Sequence, residues 1–177
     1  MPGLWIDFAA VDVWILRHAR AEDRAASGRD ADRALTPDGK RRAEAVGRVL
    51  AALSPSIEAI LTSPYRRARE TAEAAARALG IEEVIESRAL EPSRKPSEAA
   101  SELASNSWGS VLVVGHQPHL GSLVGLLALG DASQEIPLRK SGVAFVSWTP
   151  GAPGRLEAFL PPKFLEVLAK KGRRAKA

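Results

Sequence analysis

The amino-acid sequence predicts a three-layer α/β/α fold, in which a mostly parallel central sheet carries helices on both faces. Three observations lead to this prediction. Short apolar runs alternate along the chain with longer segments of helical periodicity, which is the pattern of β-α units. Two of these runs, Val11–Leu16 and Val111–Val114, are almost continuously apolar, as buried strands are. Polar residues follow the runs at the points where strands would end.

The first half of the chain is predicted to contain two strands, each followed by a helix. Thr36 and Pro37 provide a capping hydroxyl and a proline at the first helical position, so a long helix follows them. Gly80 ends the second helix, since glycine readily takes the left-handed conformation found at helix ends. The elements are a strand at Val11–Leu16, a helix after Thr36-Pro37, a strand at Ile57–Leu61 and a helix from Ser63-Pro64 to Leu79.

The second half continues the alternation and ends in a hairpin and a helix. The turn-rich segment Pro150–Gly154 joins the two hairpin strands. The elements are a weak strand at Val84-Ile85, a helix at Ser97–Ala104, a strand at Val111–Val114, a helix at about Pro118–Leu129, strands at Val143–Trp148 and Leu156–Leu160, and a helix near Pro162–Lys171. We therefore expect a single domain over residues 1–177, with residues 1–10 and 172–177 peripheral.

The composition argues against several classes of protein. The 177 residues include no cysteine, which rules out disulfides, thiolate zinc sites and a cysteine nucleophile. No stretch approaches the roughly 20 apolar residues of a membrane span, so we expect a cytoplasmic protein that does not bind membranes. The net charge of +4 comes from basic residues concentrated near the C-terminus, and aromatic residues make up only 5%, which argues against a nucleic-acid module.

Polar residues that suit catalysis follow three of the predicted strands. They are Arg17-His18, Thr62-Ser63 and Gly115-His116. Because the carboxyl ends of parallel strands lie at one edge of a sheet, we expect these side chains to converge. One histidine after a strand is ordinarily a structural hydrogen bonder. Two such histidines with nearby arginines instead indicate a reactive site.

The chemistry that these residues favour is phosphoryl transfer. A neutral imidazole is a competent nucleophile toward phosphorus, and His18 is the candidate. The transferring group needs several fixed cationic or N–H donors around it. Arginine suits this role because its planar fork meets two phosphate oxygens together. Arg17 is one candidate donor; Arg66, Arg67 and Arg69 lie together at the start of a helix, and the residues alone do not choose among them.

Four segments carry a resemblance to a known family. They are Arg17–Ala19, Arg33–Gly39, Ser63–Ala72 and Val114–Gly121. In sequence and order they resemble the motifs of the histidine phosphatase (phosphoglycerate mutase-like) superfamily, and most of all its small SixA-type phosphohistidine phosphatases. Each motif alone is weak, but four in order on a chain of fitting length form a specific signal. The resemblance spans roughly Val11–Trp148.

The resemblance implies roles for particular residues. His18 would be the phosphorylated nucleophile, Arg17 and Arg67 would bind the phosphate, and His116 would contact the phosphoryl oxygens. The family needs no metal and no cofactor. His119, three residues after His116, makes a metal pair conceivable, but no cluster of acidic ligands accompanies it.

Two further residues have alternative interpretations. Many relatives use a glutamate as general acid, and Glu91 is the nearest candidate for a catalytic acid, although a glutamate beside a proline is usually structural. Arg33 resembles a recurring arginine of the family, and its ordinary role would be an ion pair with Asp30 or Asp32. The short stretch Gly80–Ser110 predicts a short cap region and a comparatively open site.

Together these features predict a phosphatase that forms a phosphohistidine enzyme intermediate and removes phosphate from phosphohistidine on a protein. An imidazole leaving group has a reference pKa near ~6.5, so this substrate tolerates a weak or missing acid. The alternatives are a small-molecule phosphomonoester phosphatase of the same superfamily and a noncatalytic phospho-ligand binding module. The expected partner is a phosphorylated protein, such as a phosphohistidine-carrying signalling domain, or a small phosphoester; the oligomeric state stays open.

Overall fold

A six-stranded sheet forms the centre of the protein, which a computed structural model describes over residues 10–53 and 56–174. In chain order the elements are β1 Val11–Arg17, α1 Pro37–Leu53, β2 Ala59–Thr62, α2 Arg66–Leu79, β3 Ile85–Glu86, α3 Pro96–Ala104, β4 Ser110–Gly115, α4 His119–Leu129, β5 Val143–Trp148, β6 Arg155–Leu160 and α5 Pro162–Arg174. Two short 3-10 helices lie at Asp30–Asp32 and Arg88–Leu90. Residues 1–9 and 175–177, most of the predicted peripheral segments, lie outside the described residues.

The strands lie side by side in the order β3-β2-β4-β1-β5-β6. The first four are parallel, and β5 and β6 add an antiparallel hairpin at one edge. At the carboxyl end of β1, Leu16 is paired with Val114 of β4 on one side and with Val143 of β5 on the other. The predicted mostly parallel sheet is therefore confirmed. Over the described ranges, no helix is both long enough and apolar enough to cross a membrane.

Helices cover both faces of the sheet, as predicted. Successive side chains of a strand point to opposite faces. Val13 and Ile15 of β1 therefore join the core beneath α3 and α4, whereas Trp14 and Leu16 join the core beneath α1, α2 and α5. Trp14 also stacks on Phe145, its cross-strand partner, with ring centroids 4.3 Å apart. Burial on both faces explains why β1 and β4 are almost continuously apolar in sequence.

Helix α2 begins later than the sequence predicts. Ser63, Pro64 and Tyr65 form a turn, and the helix starts at Arg66. The Ser63 N–H donates to the carbonyl of Val114 at 3.0 Å, so this residue extends the pairing with β4 before the chain turns. The Ser63 side chain is consequently held at the end of the sheet.

The start of α1 packs closely against the chain that follows β1. The N–H of Thr36 donates to the carbonyl of Arg20 at 3.0 Å, and the Thr36 hydroxyl accepts from the N–H of Gly39 at 3.0 Å. A Cβ atom at residue 39 would lie 2.0 Å from the Arg20 carbonyl oxygen, so only glycine fits there. This contact gives a physical reason for the Thr36–Gly39 motif, because it fixes the backbone just beyond His18.

Candidate active site

Three strand ends meet at one edge of the sheet. His18 follows β1, Ser63 follows β2 and His116 follows β4, and these strands are neighbours. The ring centroids of His18 and His116 are 5.1 Å apart. The His116 Nε2 atom lies 2.8 Å from the Ser63 hydroxyl oxygen. The order of the strands thus brings these residues together, as the sequence predicts.

The backbone of Ala19 orients the imidazole of His18. The His18 Nδ1 atom lies 2.7 Å from the Ala19 carbonyl oxygen. A carbonyl can only accept, so Nδ1 carries the proton of the neutral ring and Nε2 keeps its lone pair. The Arg67 Nε–H points at this Nε2 atom from 3.3 Å. The unprotonated nitrogen therefore faces a fixed cation.

A buried threonine joins this strand end to α2. The N–H of Ala19 donates to the Thr71 hydroxyl at 3.1 Å, and that hydroxyl donates to the Arg67 carbonyl at 2.7 Å. Thr71 is fully buried. It therefore holds the backbone that orients His18 and the helix that carries Arg67 in one arrangement.

Arg67 is the arginine of α2 that reaches the site. Its side chain is only 7% exposed, and its terminal nitrogens donate to the carbonyl of Asp30 at 2.8 Å and to its carboxylate at 2.9 Å. Arg66 is instead exposed and forms an ion pair with Glu70 at 2.8 Å. Helical phase separates the two, because consecutive residues of a helix point about 100° apart.

Arg17 is the last residue of β1 and directly precedes His18. Its Nη1 donates to the Leu138 carbonyl at 2.7 Å, and its Nε is buried without a partner among the described residues. The loop Leu138–Gly142 encloses this end of β1, since the Ser141 N–H donates to the Arg17 carbonyl at 3.1 Å. Arg17 is thus anchored at one nitrogen and retains N–H groups for an anion.

Both site histidines are held neutral. Burial lowers the pKa of His18 to about 3, against an opposing effect of the Ala19 hydrogen bond, and the positive charges of Arg67, Arg17 and Lys140 lower it further. Burial is also the largest cause of the lowered pKa of His116, followed by the effect of His18. The lone pair of His18 is therefore available at neutral pH.

The other candidate residues lie outside this centre. Glu91 lines a neighbouring cavity of about 460 Å³ together with Tyr65, Arg69 and Arg88. Tyr65 also lies beside the site, with its ring centroid 5.0 Å from that of His116. The role of Glu91 as a general acid therefore stays a prediction.

Arg33 and His119 lie in surroundings that are typical of residues with a structural role. Arg33 donates to the Asp30 carboxylate at 2.7 Å, which is one of the two ion pairs expected from the sequence. His119 is buried at the start of α4. The described residues contain no group of three or more His, Cys, Asp or Glu side chains placed to hold a metal ion.

Three contributors to the site were missed in the sequence analysis. Thr71 and the contact of Asp30 with Arg67 are two of them, and the exposed Lys140, whose charge lowers the pKa of His18, is the third. The spacing of Arg67 and Thr71, four residues apart, places both on one helical face and could have indicated them. No local pattern indicates Lys140, because it approaches His18 only through the fold.

The fold and this site define an α/β phosphoryl-transfer enzyme. Residues 13–94 match the Histidine phosphatase superfamily (branch 1). An uncharacterized protein from Picosynechococcus sp. is 38% identical over 139 residues, which is 75% of this chain and 82% of the relative. The chain belongs to the histidine phosphatase superfamily and is a phosphatase.

Solved structures agree with this assignment. The protein histidine phosphatase SixA complexed with tungstate is 27% identical, with a TM-score of 0.78 over 88% of this chain and 99% of that one. A SixA structure from Agrobacterium tumefaciens has 27% identity and a TM-score of 0.72 over 86% and 98% of the two chains. A phosphoserine phosphatase from Entamoeba histolytica, 15% identical with a TM-score of 0.65 over 88% and 99%, shares the fold.

Proposed function

We propose that this protein removes the phosphoryl group from phosphohistidine on another protein. The observation that carries the proposal is the state of the carboxylate whose charge acts on the reactive centre. Among the charges of the described residues that most affect the pKa values of His18 and His116, Asp30 is the only carboxylate. Hydrogen bonds from Arg33 and from Arg67 lower the pKa of Asp30, so it is ionised and holds no proton for a leaving group.

Whether a site without a protonated acid is sufficient for catalysis depends on the leaving group. A serine or sugar oxygen is a strong base and needs a general acid to leave. A phosphohistidine that is protonated on its other ring nitrogen instead releases neutral imidazole, whose conjugate acid has a reference pKa near ~6.5. A phosphohistidine substrate therefore fits a centre without a poised acid. The likeness to SixA structures, one of them called a protein histidine phosphatase, supports the same substrate.

The proposed reaction has two steps. In the first, the Nε2 lone pair of His18 attacks phosphorus of a phosphohistidine whose other ring nitrogen is protonated. The P–N bond to the substrate breaks with its electron pair left on the substrate ring, which departs as neutral imidazole. In the second, water attacks the phosphorus on His18, the P–N bond breaks with its electron pair left on Nε2, and the protons of the water leave with the inorganic phosphate. Arg17, Arg67 and His116 stabilise the charge on the phosphoryl oxygens during both steps, without a metal ion.

A protein substrate also fits the short cap. Between α2 and β4, the described chain forms β3 of two residues, a 3-10 helix and α3 of nine residues. Helix α3 packs against α4. A histidine projecting from a folded partner can approach such an edge, and we propose that the whole chain acts as one domain on this partner.

The test measures phosphate release from a histidine-phosphorylated protein and from p-nitrophenyl phosphate, both with EDTA. We expect fast release from phosphohistidine that His18→Ala abolishes, and an acid-labile, base-stable phosphoenzyme in the wild type. Release that EDTA abolishes, or that survives in folded His18→Ala protein, would contradict the proposal.

Glu91 supports a second candidate, a small-molecule phosphomonoesterase. Its cavity adjoins the site through Tyr65, so a substrate bound there could receive a proton from Glu91. Glu91→Gln separates the two functions. A large loss with an alkyl phosphate such as phosphoserine, whose oxygen leaving group needs an acid, and a strong preference of the wild type for phosphoesters would establish the second function. Unchanged release from phosphohistidine in Glu91→Gln agrees with the first.

A further inference from the structure

A carboxylate that is distant in the sequence binds the guanidinium of Arg67. Asp30, in the first 3-10 helix, accepts from Arg67 Nη2 through its carboxylate at 2.9 Å and from Nη1 through its own carbonyl at 2.8 Å. The other carboxylate oxygen of Asp30 accepts from Arg33 Nη1 at 2.7 Å. Arg33 is itself tied to the Glu22 carbonyl through its Nε at 2.6 Å. Arg67 is thus held from the side opposite His18.

We propose that Asp30 is a positioning residue of the phosphate site, which fixes the direction in which Arg67 presents its remaining N–H groups. This inference rests on the proposed function of Arg67 as a phosphate ligand. A guanidinium has five N–H donors. Asp30 takes two of them, so the Nε–H is left to face His18 and two terminal N–H groups stay available to phosphoryl oxygens.

Without the carboxylate, Nη2 of Arg67 would have no partner on that side, and only the main-chain carbonyl of residue 30 would still accept from Nη1. Arginine has several rotatable bonds, and a guanidinium held at one terminal nitrogen would adopt other orientations, including ones that draw its Nε–H away from His18. Displacing a catalytic group by about 1 Å can cost a factor of ~100 in rate. Because Asp30 is 57% exposed and Arg67 is 7% exposed, the anchor lies at the surface while the group that it orients is buried.

The same short helix supplies a matched control. Asp32 lies two residues from Asp30, but its carboxylate accepts from the Ser27 hydroxyl at 2.7 Å and pairs with Arg29 at 3.5 Å. This hydrogen bond and this ion pair therefore stay within the surface loop. Removing the charge of Asp32 changes the net charge of the loop as much as removing that of Asp30, but it leaves Arg67 held.

The experiment combines kinetics with binding of vanadate, which mimics a transferring phosphoryl group. We expect Asp30→Ala to lower kcat/KM and vanadate affinity by a similar factor, about 10- to 100-fold. Asp30→Asn keeps an acceptor for only one of the two arginines, so its loss should be smaller. Asp32→Asn should stay within threefold of the wild type in both measurements.

A double-mutant cycle distinguishes positioning from a general structural role. If Asp30 acts through Arg67, then Asp30→Ala has no further effect on vanadate affinity in an Arg67→Ala background. An equal loss in both backgrounds would overturn the proposal, as would Asp30→Ala protein with wild-type affinity. Vanadate binding needs no turnover, so failure of the wild type to hydrolyse phosphohistidine would refute the proposed function and still leave this test of Asp30 valid.

Discussion

The ionisation of His18 allows a quantitative test of the site. With an ordinary pKa near ~6.5, only about 3% of a histidine would be neutral at pH 5. Burial lowers the pKa of His18 to about 3. At that value about 99% of the ring is neutral at pH 5. The structure therefore predicts about 30-fold more of the nucleophilic form in acid than an exposed histidine would have.

Proton NMR of the ligand-free protein measures this directly. The chain has only three histidines, so the ring signal of His18 can be assigned by its loss in a His18→Asn variant. We expect that signal to show no titration midpoint between pH 8 and pH 4.5. In the same range, kcat/KM should show no acid limb due to His18, once the ionisation of the substrate is allowed for, because kcat/KM reports the free enzyme. A midpoint near ~6.5 for His18 would refute the burial argument.

Three further outcomes are expected. Arg67→Ala should lower kcat/KM by about 100- to 1,000-fold, while Arg66→Ala stays within threefold; equal losses in kinetic assays would contradict the difference between them. Thr71→Val leaves the Ala19 N–H buried without its acceptor, and urea unfolding should show a loss of about 1–3 kcal/mol. The unfolding free energy should also fall as the pH drops from ~6.5 toward 3, by up to ~1.4 kcal/mol per pH unit for each of His18 and His116. The reason is that their lowered pKa values leave the folded state with fewer bound protons than the unfolded state. An unfolding free energy that does not change over this pH range would contradict the prediction.

The alternation of strands and helices was predictable because it depends on local patterns. Each predicted strand and helix appears within a few residues of its expected bounds. The largest shift of a first residue is at α2, where Ser63 keeps its hydrogen bond to Val114 and delays the helix to Arg66. Long-range pairing of this kind has no signature in the local sequence, so the helix start could not be placed from Pro64 alone.

The arginines of α2 show where sequence reasoning reaches its limit. Arg66, Arg67 and Arg69 have the same chemistry, and the resemblance to a family was needed to favour one of them. In the structure, Arg67 shares a buried face with Thr71, while Arg66 pairs with Glu70 at the surface. Which face of a helix meets the sheet is set by the packing of the whole layer.

The sequence by itself determined that two histidines directly follow strands, because strand ends follow from runs of apolar residues. Only the tertiary structure decided the tautomer and pKa of His18, which depend on the Ala19 carbonyl, on burial and on surrounding charges. It also brought Asp30 to Arg67, 37 residues apart, and the Leu138 carbonyl to Arg17, 121 residues apart. Electrostatic and hydrogen-bonding effects act over a few ångströms of space, whatever the separation along the chain.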